Sequence, residues 1–290
     1  MSLMSVASVS TRVQTAPPQA YFVVSAVFHY LGPSFAVLLF ARVDPLGVAW
    51  LRVASAGAVF ALWRRPWAAP WRAAWRPVVG LGLVLAVMNA CFYIAIDRLP
   101  LGTVAAIEFL PVIVLAALGV RTARNLAALL LAVAGVYALV DVQLEGEPLG
   151  VAFAFANALL FAAYIVLAHR IALGGAVARI DGLAAAMLVA TVAVTPIGGW
   201  SAAPALLDPV ALAAGIGVGL ASSVIPYVFD QLAMAKLSRA AYSLMVSLLP
   251  ATATVIGLIV LAQVPSAVEV AGVGLVVLAV ALRREPAAGA

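Results

Sequence analysis

Runs of about twenty apolar residues, each closed by a short polar loop, follow one another along nearly the whole chain. They fall near 20–41, 46–63, 77–96, 100–119, 124–140, 148–168, 182–200, 209–231, 240–262 and 267–282. A helix needs about 20 mainly apolar residues to cross a hydrocarbon core about 30 Å thick, so each run predicts one transmembrane helix. The runs are continuous and rich in Ala, Leu and Gly, whereas the strands of an outer-membrane barrel read as shorter alternating segments. The predicted fold class is therefore an all-α integral membrane protein with ten transmembrane helices. Composition agrees: 66% of residues are hydrophobic and 9% charged, with a mean hydropathy of +1.18. A soluble domain carries about a quarter charged residues.

Loop charge sets the expected orientation. With the N-terminus placed in the cytoplasm, that side receives Arg12, Arg64, Arg65, Arg72, Arg76, Arg121, Arg124, Arg170, Arg179, Lys236, Arg239, Arg283 and Arg284, which is 13 of the 16 basic residues. The other side receives Arg42 and Arg98 with Asp44, Asp97, Asp141, Glu145, Glu147, Asp208 and Glu269. Such a bias in short loops is the positive-inside signal, so both termini are expected in the cytoplasm of a multi-pass membrane protein. The net charge of +5 is spread over loops and forms no nucleic-acid stripe. The polar first nineteen residues lack a basic start leading into an apolar stretch, so no cleaved signal peptide is expected. Cys91 is the sole cysteine and reads as a small buried hydrophobe.

The acidic stretch 141–147 divides the chain into a first five-helix unit, 20–140, and a second, 148–282, flanked by tails 1–19 and 283–290. Five helices per unit force the units into opposite orientations. Glu108-Phe109-Leu110-Pro111 in the fourth run resembles Ser247-Leu248-Leu249-Pro250 in the ninth, its counterpart. Two inverted five-helix repeats are thus expected, an architecture of transporters that places the site near the midplane between them.

Few residues within the runs carry chemistry. Glu108 lies roughly 12 Å from the end of its helix, close to mid-membrane, where a carboxylate requires a cavity or a partner and functional use is the default reading. A structural ion pair or a permanently protonated acid is the alternative. Arg52 sits at similar depth and either pairs with Glu108 or snorkels its head to the surface. Pro33, Pro111, Pro226 and Pro250 each remove a helical hydrogen bond, marking either helix breaks at a site or passive kinks. Asn89 with Tyr93, Asn157 with Tyr164, and Ser222 and Ser223 with Tyr227 recur at spacings that share a helix face, suited to binding a neutral or zwitterionic solute or to packing between helices. His29 with Tyr30 is a proton carrier, a substrate contact or an interhelical donor. Gly215 and Gly219 have the spacing of a close helix contact.

Enzymatic readings lack residues. The sole lysine, Lys236, follows no glycine-rich loop, so no nucleotide-binding motif is present. His29, His169 and Cys91 offer neither a zinc site nor a nucleophile elbow, and no metal or cofactor is expected.

The segment from Met88 to Leu115 resembles the EamA-type branch of the drug/metabolite transporter superfamily, and within it the threonine/homoserine exporters. Met88-Asn89, Phe92-Tyr93, Pro100-Leu101-Gly102 and Glu108-Phe109 carry the likeness, with Leu51-Arg52, Tyr164, Ser222, Pro226-Tyr227 and Asp230 elsewhere. Two departures stand near the expected cavity: Leu110 leads directly into Pro111 without the family's glycine, and Val37 replaces a frequent lysine. The resemblance implies a gradient-driven exporter of small neutral amino acids with no bound cofactor, in which Glu108 receives a substrate ammonium or carries a proton. The same fold moving drugs, purines or other metabolites is the first alternative, and a membrane-embedded enzyme or accessory protein is the second.

Overall fold

The structure, a computed structural model, describes residues 17–68, 75–119, 122–144, 147–172, 176–226, 229, 233 and 248–282. Every regular element among them is helical: α1 (Pro18–Leu39), α2 (Pro45–Arg64), α3 (Trp75–Arg98), α4 (Leu101–Gly119), α5 (Ala123–Leu144), α6 (Pro148–Ala172), α7 (Ala176–Val194), α8 (Pro209–Gly219), α9 (Leu249–Leu261) and α10 (Ala267–Leu282). A 3-10 turn, Pro66–Ala68, follows α2, and a short helix, Ala203–Leu207, precedes α8. π-helical turns extend α7 at Thr195–Gly199 and α8 at Leu220–Val224. Five helices are long and apolar enough to cross a membrane, and five shorter apolar helices accompany them.

Helix starts follow local chemistry. Asp44 accepts from Leu46 N at 2.9 Å and Asp208 from Val210 N at 2.9 Å and Ala211 N at 3.2 Å, each capping a helix whose next residue is proline. Such caps satisfy amides left free at the first turn, and proline there gives up an N–H that has no helical partner. The sequence Pro-Leu-Gly-Val-Ala after an acid opens both α2 (Asp44 to Ala49) and α6 (Glu147 to Ala152), a recurrence that hydropathy alone does not reveal.

Two boundaries differ from expectation. The acidic stretch 141–147 begins as helix, because α5 continues to Leu144 and no glycine or proline intervenes before Gly146 and Pro148. Pro250 stands in the first turn of the described α9, not inside it, so within the described residues it breaks nothing.

The helices of the first half pack mainly on those of the second. α3 lies against α6 and α7, α5 against α10, α2 against α7 and α8, α4 against α6 and α9, and α1 against α8 and α9. Arg42 pairs with Asp208 at 3.1 Å and Arg98 with Glu147 at 3.9 Å at one end of the bundle, while Arg64 pairs with Asp181 at 2.8 Å at the other. Exposed pairs add little stability, but these fix which loops share an end. Leu159, Val192 and Ile259 are largely exposed along the helices, with exposed Trp63, Trp67 and Trp75 at one end of the bundle and Trp200 at the other. An apolar girdle with tryptophans at its rims is the surface a bilayer covers.

Close approach of α8 to α2 depends on two glycines. A Cβ on Gly215 would stand 2.6 Å from Leu51 Cδ1, and one on Gly219 would stand 2.7 Å from the Arg52 carbonyl oxygen, whereas Gly217 has nothing within 4 Å. Overpacking of this kind costs about 1–3 kcal/mol. Gly219→Ala should therefore lower the thermal unfolding midpoint of the detergent-purified protein, and Gly217→Ala should leave it unchanged or raise it. Equal effects at the two positions would mean that the α2–α8 contact is not tight.

Candidate functional site

Glu108 and Arg52 are both buried, at 8% and 7% exposure, and sit inside apolar helices. Each finds its partner on the other half of the chain. Asn157 Nδ2 on α6 donates to Glu108 Oε1 at 3.3 Å. Arg52 Nε donates to Ser223 Oγ and Nη2 to the Ser222 carbonyl, both at 3.1 Å, and the guanidinium lies 5.6 Å from the centre of the Tyr93 ring.

A proline explains where Arg52 goes. In an α-helix the Ser222 carbonyl would accept from the N–H of residue 226, but Pro226 has none. The π-helical turn Leu220–Val224 further loosens the ladder, and Arg52 occupies the acceptor left open. Pro226 in turn offers its own carbonyl to Ser25 Oγ at 3.2 Å. Gly32 lets α1 close over this turn, since a Cβ there would stand 2.8 Å from Ser222 N.

Neither expectation for Arg52 describes this structure. Arg52 and Glu108 are not within 4.0 Å of one another, and the guanidinium does not reach the surface. Backbone and hydroxyl acceptors exposed by a broken helix satisfy the cation without a carboxylate.

Four buried side-chain atoms around these charges have no hydrogen-bond partner: Tyr30 Oη, Tyr93 Oη, Asn157 Oδ1 and Ser222 Oγ. Tyr93 lies within electrostatic reach of both Arg52 and Ser222. Tyr30 lies within electrostatic reach of Glu108, as His29 does of Arg52, and the His29 and Tyr30 rings meet edge to face at 5.4 Å. The structure thus brings together Tyr30, Arg52, Tyr93, Glu108, Asn157 and Ser222 from six helical segments, with His29 at the edge. An unpartnered buried polar atom costs about 1–3 kcal/mol, so four at one place is a departure that calls for a cause.

Other expected site residues lie apart. Asn89 returns its amide to the Leu85 carbonyl of its own helix at 2.8 Å. Tyr164 stacks on Phe161, which meets Phe109 edge to face at 6.2 Å, and it packs against the hydrophobic cluster around Phe60 and Met187. Pro33 and Pro111 lie within α1 and α4. Tyr227, Asp230 and Ser247 lie outside the described residues. The sequence reading placed Ser223 in the polar strip of the eighth run but did not single it out as an acceptor for Arg52, and for the Ser222 carbonyl the proline four residues on was the available signal.

A cavity of about 160 Å³ lies elsewhere, at the end of the bundle that carries Arg98, lined by Thr103, Thr254, Gln263 and Glu269 among others. Gln263 Oε1 accepts from Leu101 N at 3.1 Å at its wall, and Glu269 Oε2 accepts from Ser266 N at 2.8 Å while Ser266 Oγ accepts from Glu269 N at 3.2 Å, a capping box that opens α10. Those bonds account for the structural roles of Gln263 and Glu269.

Buried charges and unpartnered polar atoms stand together among apolar helices of membrane-spanning character. Residues 148–283 match the model of the EamA-like transporter family. The chain is similar to the threonine/homoserine exporter RhtA of Salmonella typhimurium (strain LT2), with 28% identity over 264 residues and 88% of both chains covered. It is also 27% identical over 252 residues to RhtA of Escherichia coli (strain K12), covering 86% of this chain and 84% of that one. A solved crystal structure at 18% identity shares the fold with a TM-score of 0.56, over 91% of this chain and 96% of its own.

The Asn157 bond and the Asn89 bond predict different costs. A hydrogen bond to a charged group contributes about 1.5–3 kcal/mol and a neutral one about 0.5–1.5. Asn157→Ala should therefore lower thermal stability more than Asn89→Ala in the purified protein. A larger loss at Asn89 would show that Glu108 does not depend on Asn157.

Proposed function

We propose that the chain is a secondary exporter of small neutral amino acids of the threonine/homoserine kind, working by alternating access at a midplane site between two inverted five-helix repeats. The observation that carries this reading is a buried carboxylate and a buried cation, bonded to the opposite half of the chain, among four unpartnered polar atoms. Such a cluster is costly unless a solute completes it. The names of the similar exporters support the cargo.

Support for the repeats comes from the packing. Exchanging each helix for the one five places away turns α3·α6 into α8·α1, α3·α7 into α8·α2 and α4·α6 into α9·α1, all of which are packed pairs. The pairs α2·α7, α4·α9 and α5·α10 map onto themselves. A two-fold relation lying in the membrane plane has this signature.

Orientation rests on loop charge. A reporter active only outside the cytoplasm, fused after Ala290, is expected to be silent, because 13 of the 16 basic residues then lie on the cytoplasmic side. Activity of that fusion would reverse the topology.

Glu108 is the residue proposed to exchange a proton for a substrate ammonium. Glu108→Gln keeps size and some hydrogen bonding but cannot change charge, so it should insert and fold yet lose pH-dependent efflux of labelled threonine between about pH 5 and 9. Asp208 does not confuse that window. The amides of Ala211 and Val210 hold its carboxyl below the usual range, so the cap it makes is present above ordinary carboxylate pKa values and is lost only as pH falls through the lowered one. Wild-type rate and pH profile in Glu108→Gln would make the acid structural. A cargo of another kind in the same fold would appear as efflux of purines or drugs with no response to amino acids.

A further inference from the structure

The unpartnered atoms are not scattered at random between the two charges. Around Arg52 are the hydroxyls of Tyr93 and Ser222, both able to donate. Arg52 itself has five N–H groups, of which the structure bonds one on Nε and one on Nη2. Beside Glu108 is Asn157 Oδ1, which can only accept, because the amide nitrogen is already turned to the carboxylate. Tyr30 Oη, near Glu108, can accept as well. The three hydroxyls can donate or accept, so the poles are told apart by the spare N–H groups of Arg52 at one and the amide oxygen of Asn157 at the other.

We propose that Arg52 is the carboxylate anchor of the site and Glu108 with Asn157 its ammonium pole, so that the cargo is recognised as a zwitterion with both ends engaged. The proposal rests on the reading of the chain as an amino-acid carrier and adds the residue that selects for the carboxylate. A planar guanidinium takes a carboxylate through two parallel N–H donors, and the Tyr93 and Ser222 hydroxyls supply further donors to the same oxygens. An ammonium has three N–H groups, which Glu108, Asn157 Oδ1 and Tyr30 Oη receive. Charge also balances. One buried cation, one buried anion and a zwitterion sum to zero, whereas an amine alone or an acid alone leaves one unpaired charge at membrane depth.

The test uses the full chain in detergent and in proteoliposomes, with threonine, 1-amino-2-propanol (threonine without its carboxylate) and 3-hydroxybutyrate (threonine without its ammonium) as probes. Ligand-induced thermal stabilisation and competition against labelled threonine give affinities. A site built to bond a group rejects analogues lacking it by large factors, so wild type should bind both one-poled probes at least about a hundredfold more weakly than threonine. Arg52→Gln should bring threonine down to the level of the amine while leaving the amine unchanged, and Arg52→Lys should recover only part of the difference. Wild type binding the amine within a few-fold of threonine overturns the anchor, even should Arg52→Gln fail to fold. Equal weakening of both probes in Arg52→Gln overturns it too. Failure of wild type to bind any amino acid overturns the anchor together with the proposed cargo, whereas amino-acid binding that ignores the carboxylate overturns the anchor alone.

Discussion

Water is absent from the hydrocarbon core, so each polar atom at that depth must be satisfied by the protein or by something the protein binds. Arg52 shows how far this reaches. Its cation is too costly to leave bare, and one of its two acceptors, the Ser222 carbonyl, stands four residues before Pro226, which has no N–H to offer it. Gly219 brings α8 close enough to α2 for that bond, and Gly32 brings α1 over the same turn. A residue with an N–H at position 226 would compete for that carbonyl, leaving Ser223 Oγ as the acceptor of Arg52 that does not depend on the proline. One missing backbone donor thus organises the contact of three helices.

The two buried charges also join the halves of the chain. Arg52 on α2 holds the π-helical turn after α8, and Glu108 on α4 holds Asn157 on α6. A solute that takes either charge competes with a bond between halves. In the proposed reading, binding and relative movement of the halves are linked through the same atoms, because a ligand shifts a conformational equilibrium only by interacting differently with its states. Hydrophobic packing between helices cannot supply such a link, since it is indifferent to what occupies the site.

Much of the fold was legible because the membrane simplifies the code. Twenty apolar residues between polar loops locate a helix whatever its neighbours are, and the described helices begin and end close to the apolar runs. Glu108 was legible for the same reason, an acid standing where acids are expensive. Partners were not legible. Ser223 looks like any small membrane residue, and its bond to Arg52 depends on a π-helical turn that hydropathy cannot register. Tyr164 shares a helix with Asn157, yet the two serve different surroundings, because seven residues along a helix move a side chain about 10 Å along the axis.

The prolines carry more information together than singly. Pro33, Pro111 and Pro226 stand four residues after His29, Ile107 and Ser222, so the carbonyls denied a helical donor lie at or next to site residues on three different helices. For Ser222 the consequence is visible in the bond from Arg52. Passive kinks have no reason to fall in register with buried polar residues on separate helices. The coincidence is explained when the backbone itself is part of the site, providing fixed acceptors that no side-chain rotation can withdraw. Arg52 then needs no carboxylate to hold it in place, and in the proposed reading Glu108 remains available for a positive group brought by the solute.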